Sequence, residues 1–373
     1  MSAGYSAAGH IMVWFGFGFV PVGRLDFQGL SSIVWPRCAG ATWEVDPKES
    51  VARHLVPQKR GEGEVMEKSE KVWLDGELVA WDDANVHVLT HSLHYGLSLF
   101  EGIRAYERAD GRTQIFRLRE HIRRLLDGGK IATIDIPFGE EELVEACVSL
   151  VRVNGLRSCY IRPLAFLGDG AMGLYATSNP VRVVIVAWPW GAYLGDKGLR
   201  DGIRAKVSSF TRHHVNTSMV KAKIGGQYVN SILAKREVVK AGYDEALLLD
   251  TNGYVCEASG ENIFAVKNGV LFTPSTGSSL LNGLTRDTIL RLAADFGISV
   301  QQQRFTRDEL YIADEVFLTG TAAEITPVRE IDDRQIGSGS RGPLTQRFQE
   351  AYFDIVKGSD TRHEEWLHWV DFG

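Results

Sequence analysis

Cysteine, excess charge and long apolar runs are all scarce in this sequence, and each shortage removes a class of protein. Only four cysteines occur in 373 residues, Cys38, Cys147, Cys159 and Cys256, and none forms a CxxC pair. That spacing argues against a disulfide framework and fits reduced thiols in a cytoplasmic protein. The formal net charge is -6, so there is no basic footprint for nucleic acid or an anionic membrane. The one broken apolar run, Ile11 to Val22, is too short to span a bilayer and lacks the flanks of a secretory signal. Nucleotide phosphates are not favoured either, because the chain has no GxxxxGK[ST] loop and no strand-linked GxGxxG. No repeat or low-complexity tract occurs.

What remains is an ordinary globular composition, 44% hydrophobic and 24% charged, over a length that suggests two or three domains. Residues 1–65 stand apart as a leader without a sustained helical or strand period, expected to be disordered or outside the native fold. Met66 opens a charged segment leading into a patterned strand. The reading divides the rest into a smaller α/β domain at 66–187, a Pro/Gly-punctuated connector at 188–198 and a larger domain at 199–373.

Val72 to Val79 reads as a hairpin turning at Asp75-Gly76. His87, His91 and His94 have the spacing of one helix face. Val86 to Thr90 is strand-like, however, and no carboxylate or cysteine cluster follows, so packed or hydrogen-bonded histidines are expected, not a metal site. Tyr95 and Phe100 sit among glycines, as a pocket wall would. Phe116 to Lys130 is an amphipathic helix carrying Arg124 on a neighbouring face. Ser158 to Leu164 is a strand with Tyr160 and Arg162 on one face. A strand arginine beside a tyrosine is costly to bury unless an anion pairs with it, which hints at carboxylate recognition.

Val220 to Asn230 holds Lys221, Lys223, Gly225, Gly226 and Tyr228, the last opening a helix that runs to about Lys240. These residues alone allow two readings. One is an exposed basic turn; the other is a lysine that forms an imine with an aldehyde beside a positioned phenol. In the second reading the glycines clear the way for a flat ligand. Further on, Glu257 ends a hairpin strand that turns at Asn252-Gly253, and Asn268-Gly269 turns the next. Gly283-Leu284-Thr285 opens a helix with free N–H groups, a phosphate site in kind. Thr319 to Glu324 is a second such candidate.

Taken in order, from about Val72 to Trp369, these segments resemble the branched-chain amino-acid aminotransferases of the fold-type IV pyridoxal-phosphate enzymes. The runs that carry the likeness include Phe100-Glu101-Gly102-Ile103-Arg104, Tyr160-Ile161-Arg162-Pro163, Trp190-Gly191-Ala192-Tyr193, Lys223 with Gly225-Gly226 and Tyr228, Gly260-Glu261-Asn262 and Gly320-Thr321-Ala322. The resemblance implies an α/β fold of the α+β type, with a smaller N-terminal open-sheet domain, a larger C-terminal pseudo-barrel domain and the active site between them. It implies pyridoxal 5'-phosphate bound as a Schiff base on Lys223, which is also the catalytic proton shuttle, with Glu257 at the ring nitrogen and Tyr228 at the ring's phenolic oxygen. Arg124, Leu284, Thr285 and Thr321 would hold the phosphate. Thr321 and Ala322, with Tyr160 nearby, would meet the α-carboxylate. Tyr95, Phe100, Trp190 and Tyr193 would wall the side-chain pocket. The implied substrates are L-leucine, L-isoleucine or L-valine and 2-oxoglutarate, and the implied assembly is at least a homodimer, with dimer and hexamer both open. Tyr95 and the loop around Leu174 would reach the partner's site. A D-amino-acid aminotransferase or an aminodeoxychorismate lyase would share Lys223 and Glu257. A non-catalytic anion-binding homologue would not need them.

Overall fold

In the computed structural model, residues 66–191 and 193–373 are described with their side chains, and within 1–65 three strands are described. The chain forms two compact units, Met1–Glu64 and Val65–Gly373. In the first, β1 (Ala3–Tyr5), β2 (His10–Phe15) and β3 (Gly18–Arg24) pair as an antiparallel meander. The sequence reading missed these strands. Ile11 to Phe15 is apolar at every position, so no alternation of period two is there to be seen. The remainder of the expected leader lies outside the described residues.

The second unit begins with the hairpin β4 (Lys71–Leu74) and β5 (Glu77–Ala80). Its turn residues Asp75 and Gly76 both take positive φ, 50° and 102°, as a tight hairpin of this hand requires. Val86 to Thr90 is not a strand; it leads by a turn into the short helix α1 (His91–Tyr95). The histidines there are hydrogen-bonded: His91 Nε2 to Gly173 O and His94 Nε2 to Val88 O, each at 2.8 Å. Then come β6 (Ser98–Phe100), β7 (Ile103–Glu107), β8 (Thr113–Phe116), α2 (Leu118–Ala132), α3 (Glu140–Val153), β9 (Cys159–Leu167) and β10 (Val181–Trp188). Ile122, Leu125, Leu143 and Val148 turn the apolar faces of α2 and α3 onto Ile103, Ile115, Ile161 and Val183 of the sheet. Each fully buried side chain of this kind contributes about 1.5–3 kcal/mol.

The chain then runs through α4 (Gly195–Asp201), β11 (Ile203–Val207), α5 (Tyr228–Lys240), β12 (Glu245–Leu249), β13 (Val255–Ala258), β14 (Asn262–Lys267) and β15 (Val270–Thr273). It continues with α6 (Leu284–Asp295), β16 (Val300–Gln302), α7 (Arg307–Tyr311), β17 (Glu315–Gly320), β18 (Glu324–Ile331), β19 (Arg334–Gln335), α8 (Pro343–Lys357) and β20 (Leu367–Val370). The second sheet has the order β13-β12-β11-β18-β17-β14-β15-β16, mixes parallel and antiparallel pairs, and carries β19 beside β18. Phe264 and Phe317 stack at 5.1 Å in its core, under Phe348 and Tyr352 of α8 and Leu292 of α6.

One boundary differs from the sequence reading. The first sheet has the order β20-β8-β7-β9-β10-β4-β5, so Leu367–Val370, expected in the larger domain, pairs with Thr113–Phe116 instead.

Candidate active site

Among the described residues a cleft of about 260 Å³ gathers side chains from both sheets, the connector and the N-terminus of α6. Four groups of residues line it.

The first group is the lysine segment. Lys223 Nζ donates to Tyr228 Oη at 2.7 Å and lies 5.0 Å from the centre of the Phe100 ring. The backbone that carries it is held by its neighbours: Lys223 O accepts from Phe100 N at 3.1 Å, and Leu99 bridges to Ile224. Lys221 is used differently. Its Nζ donates to the carbonyls of Thr276 (2.6 Å) and Leu280 (2.9 Å) and to Asn282 Oδ1 (3.2 Å). That lysine is a strut for the loop before α6. The glycines also have a cause other than the one expected. A Cβ on Gly226 would lie 2.9 Å from Gly96 O, and one on Gly225 would collide with Ser98 Oγ. They admit the end of α1 and the start of β6, so the close approach is by the protein's own backbone.

The second group centres on Glu257, which is 5% exposed. It forms an ion pair with Arg212 Nε at 2.7 Å and accepts from Leu281 N at 3.1 Å. Burial pushes the Glu257 carboxyl up, and the Arg212 charge opposes that rise.

The third group is an anion cradle. Arg124 grips Glu101 through Nε (2.7 Å) and Nη2 (2.8 Å), while Nη1 donates to Asn282 O at 2.8 Å. Three of its five donors are spent, and two remain on the side chain that lines the cleft. Burial alone would raise the Glu101 carboxyl, but Arg124 and His121 hold it well below the usual carboxylate range. Facing Arg124 is the start of α6. Gly283 is its N-cap, no side chain caps it, and Leu284 and Thr285 line the cleft. Free N–H groups and the positive end of the helix dipole make that end a place for an anion. Thr319 Oγ1, also on the cleft, is buried without a hydrogen-bond partner among the described residues.

The fourth group is aromatic. Tyr160 packs edge-on to Trp190 at 4.5 Å, and Trp190 packs on Tyr193 at 5.9 Å. Gly102 is required here because a Cβ would collide with the Tyr160 phenol. Arg162 Nη2 donates to that phenol at 3.1 Å, and its guanidinium lies 4.6 Å from the centre of the Phe100 ring. Its Nε is buried without a partner among the described residues. Beyond the aromatic wall, Arg104 donates to Trp190 O (2.9 Å) and Gly191 O (2.7 Å) and pairs with Glu324 at 3.0 Å. Glu324 has φ 54°. A left-handed non-glycine residue costs about 1–2 kcal/mol, and here it closes the turn that carries Thr321 and Ala322.

The description Amino-transferase class IV matches residues 98–331. The branched-chain-amino-acid aminotransferase of Pseudomonas aeruginosa is 55% identical over 295 residues, covering 79% of this chain and 95% of that protein. The one from Escherichia coli K12 is 49% identical over 305 residues, 82% of this chain and 98% of that protein.

This chain belongs to the class IV aminotransferases.

The crystal structure of the E. coli branched-chain aminotransferase superposes with a TM-score of 0.80 at 48% identity, over 82% of this chain and all of that one. The T.th. branched-chain aminotransferase with pyridoxamine 5'-phosphate gives 0.79 at 51%, over 82% of this chain and 99% of that one. The expected fold type is therefore that of this aminotransferase. Of its sequence-predicted site residues, Arg124, Lys223, Tyr228, Glu257, Leu284, Thr285, Thr321, Phe100, Tyr160, Arg162, Trp190, Tyr193 and Ala322 all line the one cleft. Tyr95 does not. It is 43% exposed, and its hydroxyl accepts from Gly173 N at 3.1 Å. Sequence reasoning about this class IV aminotransferase missed Arg212, placed Thr319 only within a candidate anion-binding run, and gave Glu261 and Asn262 no role, although all four line the cleft. Arg212 lies in an irregular stretch after β11, where no periodicity marks it. Glu261 stands in the Gly260-Glu261-Asn262 run, four residues after Glu257, and that was the signal available.

Proposed function

We propose that this protein transfers the amino group between L-leucine, L-isoleucine or L-valine and 2-oxoglutarate, using pyridoxal 5'-phosphate held in the cleft. One observation carries the reading: the Lys223 amine has a phenol as its partner, in a cleft bounded by buried Glu257 and an uncapped helix N-terminus. The residues fit the cofactor on their own chemistry. An aldehyde needs an amine, a ring nitrogen needs a carboxylate, and a phosphate needs the donors that Arg124, Leu284 and Thr285 leave unspent.

When bound, pyridoxal phosphate supplies an aldehyde for imine chemistry and a ring that accepts the electron pair left at the substrate Cα. Lys223 supplies the amine and afterwards carries the proton from Cα. Tyr228 fixes that amine and hydrogen-bonds the ring's phenolic oxygen. Glu257, paired with Arg212, would hold a proton on the ring nitrogen. Arg124, the N–H groups of Leu284 and Thr285, and Thr321 hold the phosphate. The Thr321 and Ala322 backbone takes the α-carboxylate, with Tyr160 beside it. Phe100, Trp190 and Tyr193 exclude water around an apolar side chain. Arg162 serves the second carboxylate of glutamate and stays hydrogen-bonded to Tyr160 when an apolar side chain fills the pocket.

We further infer a homodimer at least. Leu93, Leu174 and Tyr175 are 65%, 92% and 90% exposed around Tyr95, which is costly for a lone chain in water. That surface suits a partner copy whose site Tyr95 would complete. Cys147, Cys159 and Cys256 are free and buried, which supports a cytoplasmic protein. No helix among the described residues is long and apolar enough to cross a membrane. The test is the visible spectrum of the purified protein with added cofactor. An absorbance band that shifts on adding L-leucine and returns on adding 2-oxoglutarate supports the assignment; no change with either substrate overturns it.

A further inference from the structure

Glu261 lies between β13 and β14, 5% exposed, and lines the cleft. Its Cγ sits against Gly320, beside Thr321 and Ala322. One of its oxygens accepts from Gly260 N at 3.1 Å, and no lysine or arginine among the described residues pairs with it. The lysine that acts on it most is already committed. Lys235 Nζ lies 2.5 Å from Glu245 Oε2, and Glu245 Oε1 accepts from Ser259 Oγ (2.6 Å) and Ala246 N (2.7 Å). Glu245 is wholly buried. Two buried carboxylates thus share one lysine, and the geometry gives that lysine to Glu245. The groups that act on Glu261 are Glu245 from β12, Lys235 from α5, and Lys223 from the cleft. Tyr193 of the connector feels both carboxylates. A buried carboxyl with one backbone donor, next to a carboxylate already paired, is most stable as the neutral acid.

We propose that Glu261 stands in the cleft as a neutral carboxylic acid, and that losing its proton closes the cleft to a substrate with a second carboxylate. The idea rests on the transaminase reading above. It deepens that reading by naming what admits a dicarboxylate to a pocket with an apolar wall. Burial, and then the Glu245 charge, push the Glu261 carboxyl up to about 8. Below that pH the group is uncharged. Above it, the cleft gains a negative charge that a dicarboxylate meets more strongly than a monocarboxylate does.

The measurement is kcat/KM for 2-oxoglutarate divided by kcat/KM for the 2-oxo acid of leucine, as a function of pH. Neither oxo acid has a titrating amine, and effects at Lys223 cancel in the ratio. In the wild type the ratio should fall about tenfold between about pH 7 and pH 9, as expected for one group titrating in that range. In Glu261→Gln it should stay level. Glu245→Gln removes the repelling charge and frees Lys235 to pair with Glu261, so the fall should begin at lower pH. A level ratio in the wild type, or the same fall in Glu261→Gln, overturns the proposal. A readout independent of activity is the carbonyl stretch of a protonated carboxylic acid in infrared difference spectra across the same pH range. A band that disappears as the pH rises and is missing from Glu261→Gln supports the neutral acid; no such band overturns it. If neither oxo acid reacts, the transaminase reading falls and the dicarboxylate half of the proposal with it, while the infrared band still decides the protonation of Glu261.

Discussion

Arg212 Nε lies 2.7 Å from Glu257 Oε1, with the two side chains 9% and 6% exposed. Neither charge could stay in that place alone. Removing one partner of such a pair costs about 3–5 kcal/mol, because the other is left buried and uncompensated. Arg212→Met should therefore lose stability of that order, and the loss should grow with pH. The sign follows from the direction of the shift. Glu257 is already raised by burial, and without Arg212 it rises further. The folded state then binds more protons than the unfolded one, so stability is greatest below the ordinary carboxylate pKa and falls as pH rises toward the folded value. Denaturant titrations of wild type and variant at about pH 5 and pH 8 check this. An equal difference at both pH values would detach Arg212 from the charge state of Glu257.

Lys223→Ala should lose nearly all amino transfer, since the amine and the proton carrier are one group. Lys221→Ala should keep the cofactor attached to Lys223 but melt earlier, because the carbonyls of Thr276 and Leu280 lose a charged donor. Borohydride reduction with peptide mapping reads the attachment, and a thermal scan reads the strut. Label on Lys221 would reverse the two roles.

Arg162→Met should weaken the glutamate and 2-oxoglutarate half-reactions by about 2–5 kcal/mol, the penalty for a buried carboxylate without its cation. The leucine half-reaction should stay within about tenfold of wild type, because the lost contact belongs to one substrate. Stopped-flow absorbance of each half-reaction separates them. Equal losses would make Arg162 a packing residue held among Phe100, Tyr160 and Trp188.

Removing residues 1–65 should leave the melting temperature and activity of the remaining chain unchanged, because every cleft residue lies in the second unit. Differential scanning calorimetry and a transamination assay check this together. A midpoint lower by more than a few degrees would mean that the leader packs on the enzyme.

Local signals were read where local chemistry decides the structure. Asp75-Gly76 turned the hairpin as expected, Tyr228–Lys240 is a helix, and Gly283 opens α6. Val86 to Thr90 misled because its β-branched residues suit a strand, yet among the described residues no strand pairs with them. Gly225 and Gly226 do mark a close approach, but of Ser98 and Gly96 from the tertiary fold and not of the expected flat ligand. Arg212 and the Lys235–Glu245 pair escaped for the same reason. An ion pair across the fold leaves no period in the chain, and its members look like any surface charges until the sheets bring them together.

The strand Leu367–Val370 lies along Thr113–Phe116, pairing Leu367 with Phe116 and Val370 with Thr113. A ribosome makes the body of that first sheet early and this edge partner only after the whole second sheet has emerged. Until then Thr113–Phe116 presents a row of unpaired N–H and C=O groups, the kind of edge on which other chains aggregate. A nascent chain therefore cannot bank its first sheet as a finished piece. Both sheets are committed together, and translation that halts before residue 367 leaves an adhesive edge in place of half an enzyme.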